Sequence, residues 1–256
     1  LIWTSLTVLV IACLGYLAAR QIPAMPPLSP QLKVDWNIFR TSTQTIRNAW
    51  QLRPVFYAII GISWFWYYGA TFLTQIPQFT QQILHGDESV VILLLTLFSV
   101  GVATGSLLCR KLAGAHVNLK LLPIGVLGLT VFALDLYFAL TGLQPAQTDQ
   151  TLTQLLADRQ YWRVLIDLTG LGLFGGFYIV PLYAYMQTYA PETERARVIA
   201  ANNIINAWFM VKSAIVAMIV LGVLQWSLPT LFVLTALLNI GVGGLVIYKT
   251  TQHQPH

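Results

Sequence analysis

Polar side chains inside the sixth long apolar segment could bind a ligand. Asn202, Asn206 and Ser213 fall on one side of a helical wheel together with Phe209, and Lys212 lies near the middle of the same segment. Amides can hydrogen-bond a ligand or a neighbouring helix, and a charged amine in apolar surroundings is costly unless it is hydrated or paired. We expect Lys212 to face a cavity. The alternatives are pairing with an acid on a neighbouring helix, or snorkelling of the side chain to a polar surface.

A second candidate site is an aromatic and amide stripe in the second apolar segment. Trp64, Tyr68, Thr71, Gln75 and Gln78 fall on one face at helical spacing. Such a stripe could line a cavity for an amphipathic ligand. The alternative is that the aromatic side chains form an interfacial belt or pack against other helices.

The fifth apolar segment contributes two further candidate binding residues, Tyr178 and Tyr185. They are interleaved with glycines, which let another backbone approach closely or let a helix flex. Packing is the commoner role of such glycines. These are Gly170, Gly172, Gly175 and Gly176.

Two carboxylates lie inside apolar segments, and each has two interpretations. Asp135 is the candidate for proton coupling, although it is close enough to a segment end to be merely hydrated. Asp167 is interpreted as a solvated anion, paired with Arg163 four residues earlier, in preference to the alternative of a proton site.

The elements that carry these residues must be membrane-spanning helices. Of 256 residues, 56% are hydrophobic and 9% charged, with a mean hydropathy of +0.67, which leaves too little polar surface for a water-soluble protein. Stretches of about 20 apolar residues match the thickness of a bilayer. The sequence predicts an all-α, polytopic protein with spans at Leu1–Ala19, Pro54–Leu73, Ser89–Cys109, Leu121–Thr141, Trp162–Tyr189, Val198–Leu224 and Pro229–Tyr248.

The distribution of basic residues predicts the orientation of these spans. Most of the 14 lysines and arginines fall in alternate loops. Short loops on the cytoplasmic side of a membrane carry an excess of these residues. This places the C-terminus in the cytoplasm and the start of the chain outside. The net charge of +5 is scattered among loops rather than gathered in a patch, so nucleic acid is not expected as a partner.

Enzyme and cofactor signatures are missing from the sequence. It contains no P-loop, no G-x-S-x-G, no C-x-x-C and no H-E-x-x-H. Both cysteines, Cys13 and Cys109, lie in apolar segments and are interpreted as packing residues. We therefore expect no catalytic residue, no metal and no cofactor.

Four regions are predicted. Residues 1–19 are one span and residues 54–249 a six-helix bundle, followed by a cytoplasmic tail at residues 250–256. Residues 20–53 are a cytoplasmic linker containing an amphipathic helix with Asp35 as N-cap, which either only joins two bundles or senses lipid. Because the chain begins inside a span without Met, we expect it to be a truncated protein.

The residues above resemble the C-terminal half of the major facilitator superfamily with the preceding helix attached. The segment from Gly105 to Gly114 looks like a degraded copy of the superfamily's G-x-x-x-D-R-x-G-R-R loop, with Cys109 in place of the acid and the second basic pair lost. The departure puts a charge-relay gate at this loop in doubt. The residues of the candidate gating loops are Arg110, Lys111, Glu194, Arg195 and Arg197.

More specific stretches look like the bacterial lysophospholipid transporter family. They are Arg53-Pro54-Val-Phe with Gly61-Ile-Ser-Trp64-Phe-Trp66, Gly172-Leu-Phe-Gly175-Gly176-Phe-Tyr178, and Glu194-Arg195-Ala-Arg197 running on to Asn202-Asn203-Ile-Ile-Asn206. This resemblance implies that the protein moves lysophospholipid across the bacterial inner membrane by alternating access between two bundles.

The resemblance also implies partners. These are membrane lipid, the lysophospholipid substrate, a missing N-terminal transporter half, and an acyltransferase or acyl-acyl-carrier-protein synthetase, to which some members of the family are fused. Two other functions stay open: export of a drug or small metabolite, and a membrane anchor that recruits a phospholipid acyltransferase without transport.

Overall fold

The structure is a computed structural model that describes residues 2–23, 36–114, 119–144 and 149–252. The chain divides into two units, Leu1–Trp36 and Asn37–His256. This division falls inside the predicted linker at residues 20–53. Asp35, the predicted N-cap, and most of the predicted tail lie outside the described residues.

Within the described residues the regular structure is helical, which confirms the predicted all-α class. Seven helical segments are long and apolar enough to cross a membrane. The helices are α1 (Ile2–Ala19), α2 (Ile38–Gln51), α3 (Arg53–Gln82), α4 (Glu88–Ala113), α5 (Leu122–Thr141), α6 (Leu152–Ala157), α7 (Trp162–Tyr189), α8 (Arg195–Ala217) and α9 (Leu228–Gln252).

The second unit has two distinguishable ends. Helices α3, α5 and α8 begin at one end, and α4, α7 and α9 finish there. We call it the basic end, because the cationic side chains near these helix termini gather on it; the other is the opposite end. The basic end carries Arg53, Arg110, Lys111, Lys120, Arg195, Arg197 and Lys249.

Local sequence sets several helix boundaries. The side chain of Asp87 caps α4 by accepting from the backbone N–H groups of Ser89 and Val90, and the helix terminates at Gly114, which has a positive φ of 66°. The hydroxyl of Ser89 and these N–H groups hold the pKa of Asp87 below its ordinary value. Helix α2 is capped by Asn37, which accepts from Arg40 N–H at 3.0 Å.

Two helices differ from the sequence prediction in length or form. The predicted span in α3 ends at Leu73, whereas α3 continues through Pro77 to Gln82, so Gln75 and Gln78 lie within the helix. Helix α8 passes into a π-helical segment at Met218–Val223. Such wide turns are rare and often lie near functional sites.

Helix α2 belongs to the second unit and packs on α3 and α8. Its Ala49 is buried, and the Trp50 ring meets Phe56 of α3 edge-on at 4.7 Å between centroids. The Arg53 guanidinium lies 4.0 Å from the centre of the Trp50 ring. Phe39 of α2 is 88% exposed, so only part of this helix is covered by the bundle.

The six long helices of the second unit pair in a repeated pattern. Helix α7 packs against α4 and α5, and in the same way α3 packs against α8 and α9; α3 also contacts α7, and α5 contacts α9. Exchanging α3 with α7, α4 with α8 and α5 with α9 therefore reproduces these pairings, whereas a smaller contact between α3 and α4 has no counterpart of similar size. We call α3, α4 and α5 one three-helix unit, and α7, α8 and α9 the other. Because α3 begins at the basic end and α7 at the opposite end, these two three-helix units have inverted directions in the bundle.

The α4–α7 crossing is a contact between backbones. A methyl group on Gly105 would overlap the Leu173 carbonyl, one on Gly172 would overlap the Phe98 carbonyl, and Gly176 faces the backbone of Gly105. Small residues permit this approach in membrane helices, where packing rather than hydrophobic exclusion drives association. This confirms close packing as a role of the glycines in the fifth span.

Candidate functional site

A groove lies between α3, α8 and α9, and it contains the candidate lysine. Its volume is about 290 Å³. The ammonium group of Lys212 lies 5.0 Å from the centre of the Phe209 ring, a cation–π distance. Trp64 and Tyr67 stack at 4.8 Å on the α3 side. The walls are formed by Trp64, Tyr67, Phe209, Lys212, Ile215, Val216 and Leu238.

The aromatic wall of this groove is fixed from behind by a buried amide. The indole N–H of Trp64 donates to Asn239 Oδ1 at 2.9 Å. The amide nitrogen of Asn239 donates to the Val126 carbonyl at 3.0 Å and to the Thr130 hydroxyl at 2.9 Å on α5. Asn239 is fully buried, and both its amide oxygen and its amide nitrogen form hydrogen bonds. It therefore sets the position of Trp64 relative to α5 and α9.

Asn202 and Asn206 do not line the groove but form a polar cluster where α8 crosses α3. With its amide oriented to satisfy both ends, Asn206 donates to Ser63 Oγ at 2.8 Å and to the Asn202 carbonyl at 3.1 Å. It accepts from Asn202 Nδ2 at 3.0 Å and from Trp66 Nε1 at 3.3 Å. The Trp66 indole is also 3.3 Å from the Tyr183 hydroxyl of α7. These contacts tie three helices together through polar groups.

The remaining predicted binding residues are dispersed. Tyr68 is buried and donates to the Leu129 carbonyl at 2.8 Å, which gives it a structural role between α3 and α5. Tyr178 and Tyr185 are fully buried, and their hydroxyl groups have no hydrogen-bond partner within the part of the chain that the structure describes. Gln75 is half-buried on α3, in the part of the helix that continues beyond the predicted end.

The candidate gating residues lie at the basic end of the bundle. Arg110 and Lys111 occupy the last turn of α4 and are exposed, and Arg195 and Arg197 are exposed in the first turn of α8. Glu194 precedes α8 and is half-buried, and its carbonyl accepts from Val198 N–H at 2.9 Å. The two groups sit where α4 finishes and α8 begins.

The two carboxylates are neighbours, in a different arrangement from the one predicted. The guanidinium of Arg163 donates two hydrogen bonds to the carboxylate of Asp135 on α5, one from Nε at 2.9 Å and one from a terminal nitrogen. The Asp135 side chain is 39% exposed. The prediction that Asp167 is a solvated anion paired with Arg163 is wrong, because Asp167 is 1% exposed and neither of its oxygens has a hydrogen-bond donor among the described residues.

Several residues that matter to the groove were not found from the sequence. Asn239 is a single amide in a long apolar run, and that isolation is the signal that could have identified it. Tyr67 and Ser63 gave no such signal, because they occur in a run of aromatic and small residues whose inward face depends on the packing of α8 and α9.

The described residues contain no group of three His, Cys, Asp or Glu side chains placed to hold a metal ion. The chain was also compared with protein-family models, curated proteins and solved structures. None matched. The function must therefore be argued from the helices and the side chains themselves.

Proposed function

We propose that this chain forms one six-helix bundle, with a preceding helix, of a secondary transporter of the major facilitator type that moves lysophospholipid across the bacterial inner membrane. The basic end faces the cytoplasm, following the tendency of short cytoplasmic loops to retain lysine and arginine. Substrate moves by alternating access, for which a second bundle provides the other wall of the path.

The inverted pairing of the three-helix units supports a transporter. Each half of a major facilitator consists of two inverted three-helix repeats. The exchange of α3, α4 and α5 with α7, α8 and α9 has the same form. A membrane anchor has no need of inverted repeats, so this pairing favours transport over the anchor function.

The groove beside Lys212 is the feature that supports a lysophospholipid as the substrate. The phosphate of a lysophospholipid headgroup needs a cation next to apolar surface, and the groove offers an ammonium group, two stacked aromatic rings and the aliphatic side chains of α8 and α9. A volume of about 290 Å³ is at the lower limit for small-molecule pockets. It fits one part of a lipid, with the acyl chain extending along the bundle surface.

Binding can be tested with the full chain in nanodiscs of neutral lipid. The probe is a fluorescent lysophosphatidylethanolamine. Replacing Lys212 with Ala removes the cation that faces the lipid phosphate, and we expect binding to weaken about tenfold, the loss of one charge-assisted contact. The matched control is Lys249→Ala, which removes a lysine that also lies beside aromatic rings but outside the groove.

Transport is tested by uptake of labelled lysophospholipid into spheroplasts that express the chain together with the second bundle that alternating access requires. Uptake that falls with Lys212→Ala and persists with Lys249→Ala supports the proposal. Equal binding and uptake by both variants would overturn the assignment of the groove. Export of a soluble drug without lysolipid movement, or recovery of an acyltransferase without any transport, would support one of the two alternative functions instead.

A further inference from the structure

Outside the groove, the carboxyl groups of Asp135 and Asp167 are neighbours, and of the two only Asp135 accepts hydrogen bonds from the described residues. The Asp135 and Asp167 carboxyl groups are within hydrogen-bonding reach of each other. Asp167 is 1% exposed, and within the described residues neither of its oxygens receives a hydrogen bond. Two ionised carboxylates in this position would both be acceptors and would repel each other.

The cation that interacts with both carboxyl groups is Arg163, and it is already paired with one of them. Arg163 uses its Nε and a terminal nitrogen on the two oxygens of Asp135. A guanidinium in this bidentate geometry is oriented towards one carboxylate. Asp167 therefore remains a buried acid next to a neutralised ion pair.

The charged groups that face Asp167 come from two helices. Asp135 approaches from α5, and Arg163 from the preceding turn of α7. The other helices packed against α7 have their acidic and basic residues near their ends, and α6 has none. Those residues are Arg53 on α3, Glu88, Arg110 and Lys111 on α4, Lys120 in the turn that precedes α5, and Asp158 and Arg159 in the turn that precedes α7.

We propose that Asp167 binds a proton and shares it with Asp135, so that these two residues and Arg163 form a proton site near the opposite end of the bundle. The Asp167 carboxylate accepts the proton and becomes a neutral carboxylic acid. Its O–H then donates to an Asp135 oxygen, which stays ionised and held by Arg163. A buried acid avoids an uncompensated charge in this way.

The path for the proton follows from exposure. The side chains of Arg163 and Asp135 are 51% and 39% exposed, whereas Asp167 is buried. A proton entering from water thus reaches Asp135 first and passes to Asp167. This inference deepens the proposed transport function by giving it a coupling ion, and it assigns the binding position to Asp167 rather than to Asp135 alone.

The test measures the proton itself and does not depend on transport. Infrared difference spectra of the full chain in nanodiscs are recorded as a function of pH, with the carbonyl stretch of a protonated carboxylic acid as readout. We expect a band that disappears as the pH rises and is absent from Asp167→Asn. The exposed acid variant Glu88→Gln is the control and should retain the band.

Asp135→Asn provides the second arm, and it decides the question if Asp167→Asn does not fold. Loss of the ionised acceptor should shift the band, because the O–H of Asp167 then donates to an amide oxygen. A band that is unchanged in Asp135→Asn, or the absence of any titrating band in the folded wild-type chain, would overturn the proposal. Removal of the band by Na⁺ at constant pH would overturn it in favour of a sodium site.

Failure of this site and failure of the proposed transport function are distinguishable. A band that behaves as expected, when the chain expressed with the second bundle shows no lysophospholipid uptake, leaves the proton site in place and removes the transporter assignment. Uptake that is driven equally well in wild type and Asp167→Asn, with no titrating band, retains the transporter and removes the proton site.

Discussion

The crossing of α4 with α7 and the crossing of α3 with α8 occupy equivalent positions in the two three-helix units, yet they are held by different chemistry. At the first, Gly101, Gly105 and Gly172 bring two backbones into contact. At the second, Ser63 and Asn206 meet through side chains. The grooves beside them differ as well.

The groove at the glycine crossing is larger and almost entirely apolar. It has a volume of about 460 Å³ and is walled mainly by leucine and phenylalanine from α4, α5 and α7, with Thr169 as a polar exception. Its counterpart beside α3 and α8 contains Lys212, Trp64 and Tyr67. The same helix pairing therefore supports a tight, apolar crossing on one side and a polar, side-chain-mediated crossing on the other.

This difference indicates which crossing can rearrange. Backbone contact offers no side chain that could adopt another rotamer, so α4 and α7 must move together. Amide and hydroxyl groups can exchange partners, so the α3–α8 crossing can respond to a bound headgroup. Four changes test this distinction, beginning with the one expected to have the largest effect.

Gly105→Ala should be the most damaging. The added methyl group would overlap the Leu173 carbonyl, which is backbone and cannot move aside. We expect a loss of about 3 kcal/mol or more, at the upper end of the cost of overpacking. Reversible unfolding in mixed micelles measures it. Gly244→Ala on α9 is the control, since a methyl there would have no atom within 4 Å and should change stability by less than about 0.5 kcal/mol.

Asn239→Leu should have the next largest effect. The change leaves the Trp64 indole N–H and the Thr130 hydroxyl without the amide that joins them. A buried donor without a partner costs about 1–3 kcal/mol. The same unfolding assay, together with a change in Trp64 fluorescence against a Trp64→Phe background, measures the effect. Full stability in Asn239→Leu would show that the aromatic wall is held by packing alone.

The polar crossing should show weak pairwise coupling. In a double-mutant cycle of Ser63→Ala and Asn206→Ala we expect about 0.6 kcal/mol, the average for hydrogen bonds between membrane helices. The value is small because Asn206 retains Asn202 and Trp66 as partners. A coupling as large as the Gly105→Ala effect would mean that this crossing is as rigid as the glycine crossing.

The smallest effect is expected at the start of α4, where Asp87 caps the helix. Its pKa is held below the ordinary value of about 3.9 by the Ser89 hydroxyl and two N–H groups. The stabilising contribution is therefore complete above the ordinary value and is lost as the pH falls through the lowered one. Unfolding measured at decreasing pH should show this loss in the wild type and not in Asp87→Asn. The glycine crossing should be insensitive to pH over the same range.

Much of the fold was predictable from the sequence, because apolar segments of bilayer length must be helical in lipid. The predicted span at Trp162–Tyr189 coincides with α7, including Pro181 within the helix. The end of α3 was predicted too early. Pro77 lies inside α3, and helices in membranes tolerate proline when neighbouring groups satisfy the backbone.

The candidate site was only partly predictable. The lysine in α8 and the aromatic stripe of α3 were found from residue type and spacing, and Lys212 and Trp64 do line one groove. Tyr68, on the same stripe as Trp64, donates instead to α5. Helical spacing gives the side of a helix on which a residue lies, but not which neighbour covers that side. The burial of Asp167 could not be predicted for the same reason. Arg163 pairs with Asp135 of α5, and the spacing of residues along α7 does not reveal that neighbour.

The inverted directions of the two three-helix units have a consequence for how the bundle tilts. Reversing the bundle end for end gives the same main helix pairings. The pairing alone therefore assigns no preference between leaning towards one membrane leaflet and leaning towards the other. Any preference must arise from side chains that break the equivalence, such as glycine at one crossing and amide at its counterpart. Substitutions there would change the balance between the two tilts while leaving the helix framework intact.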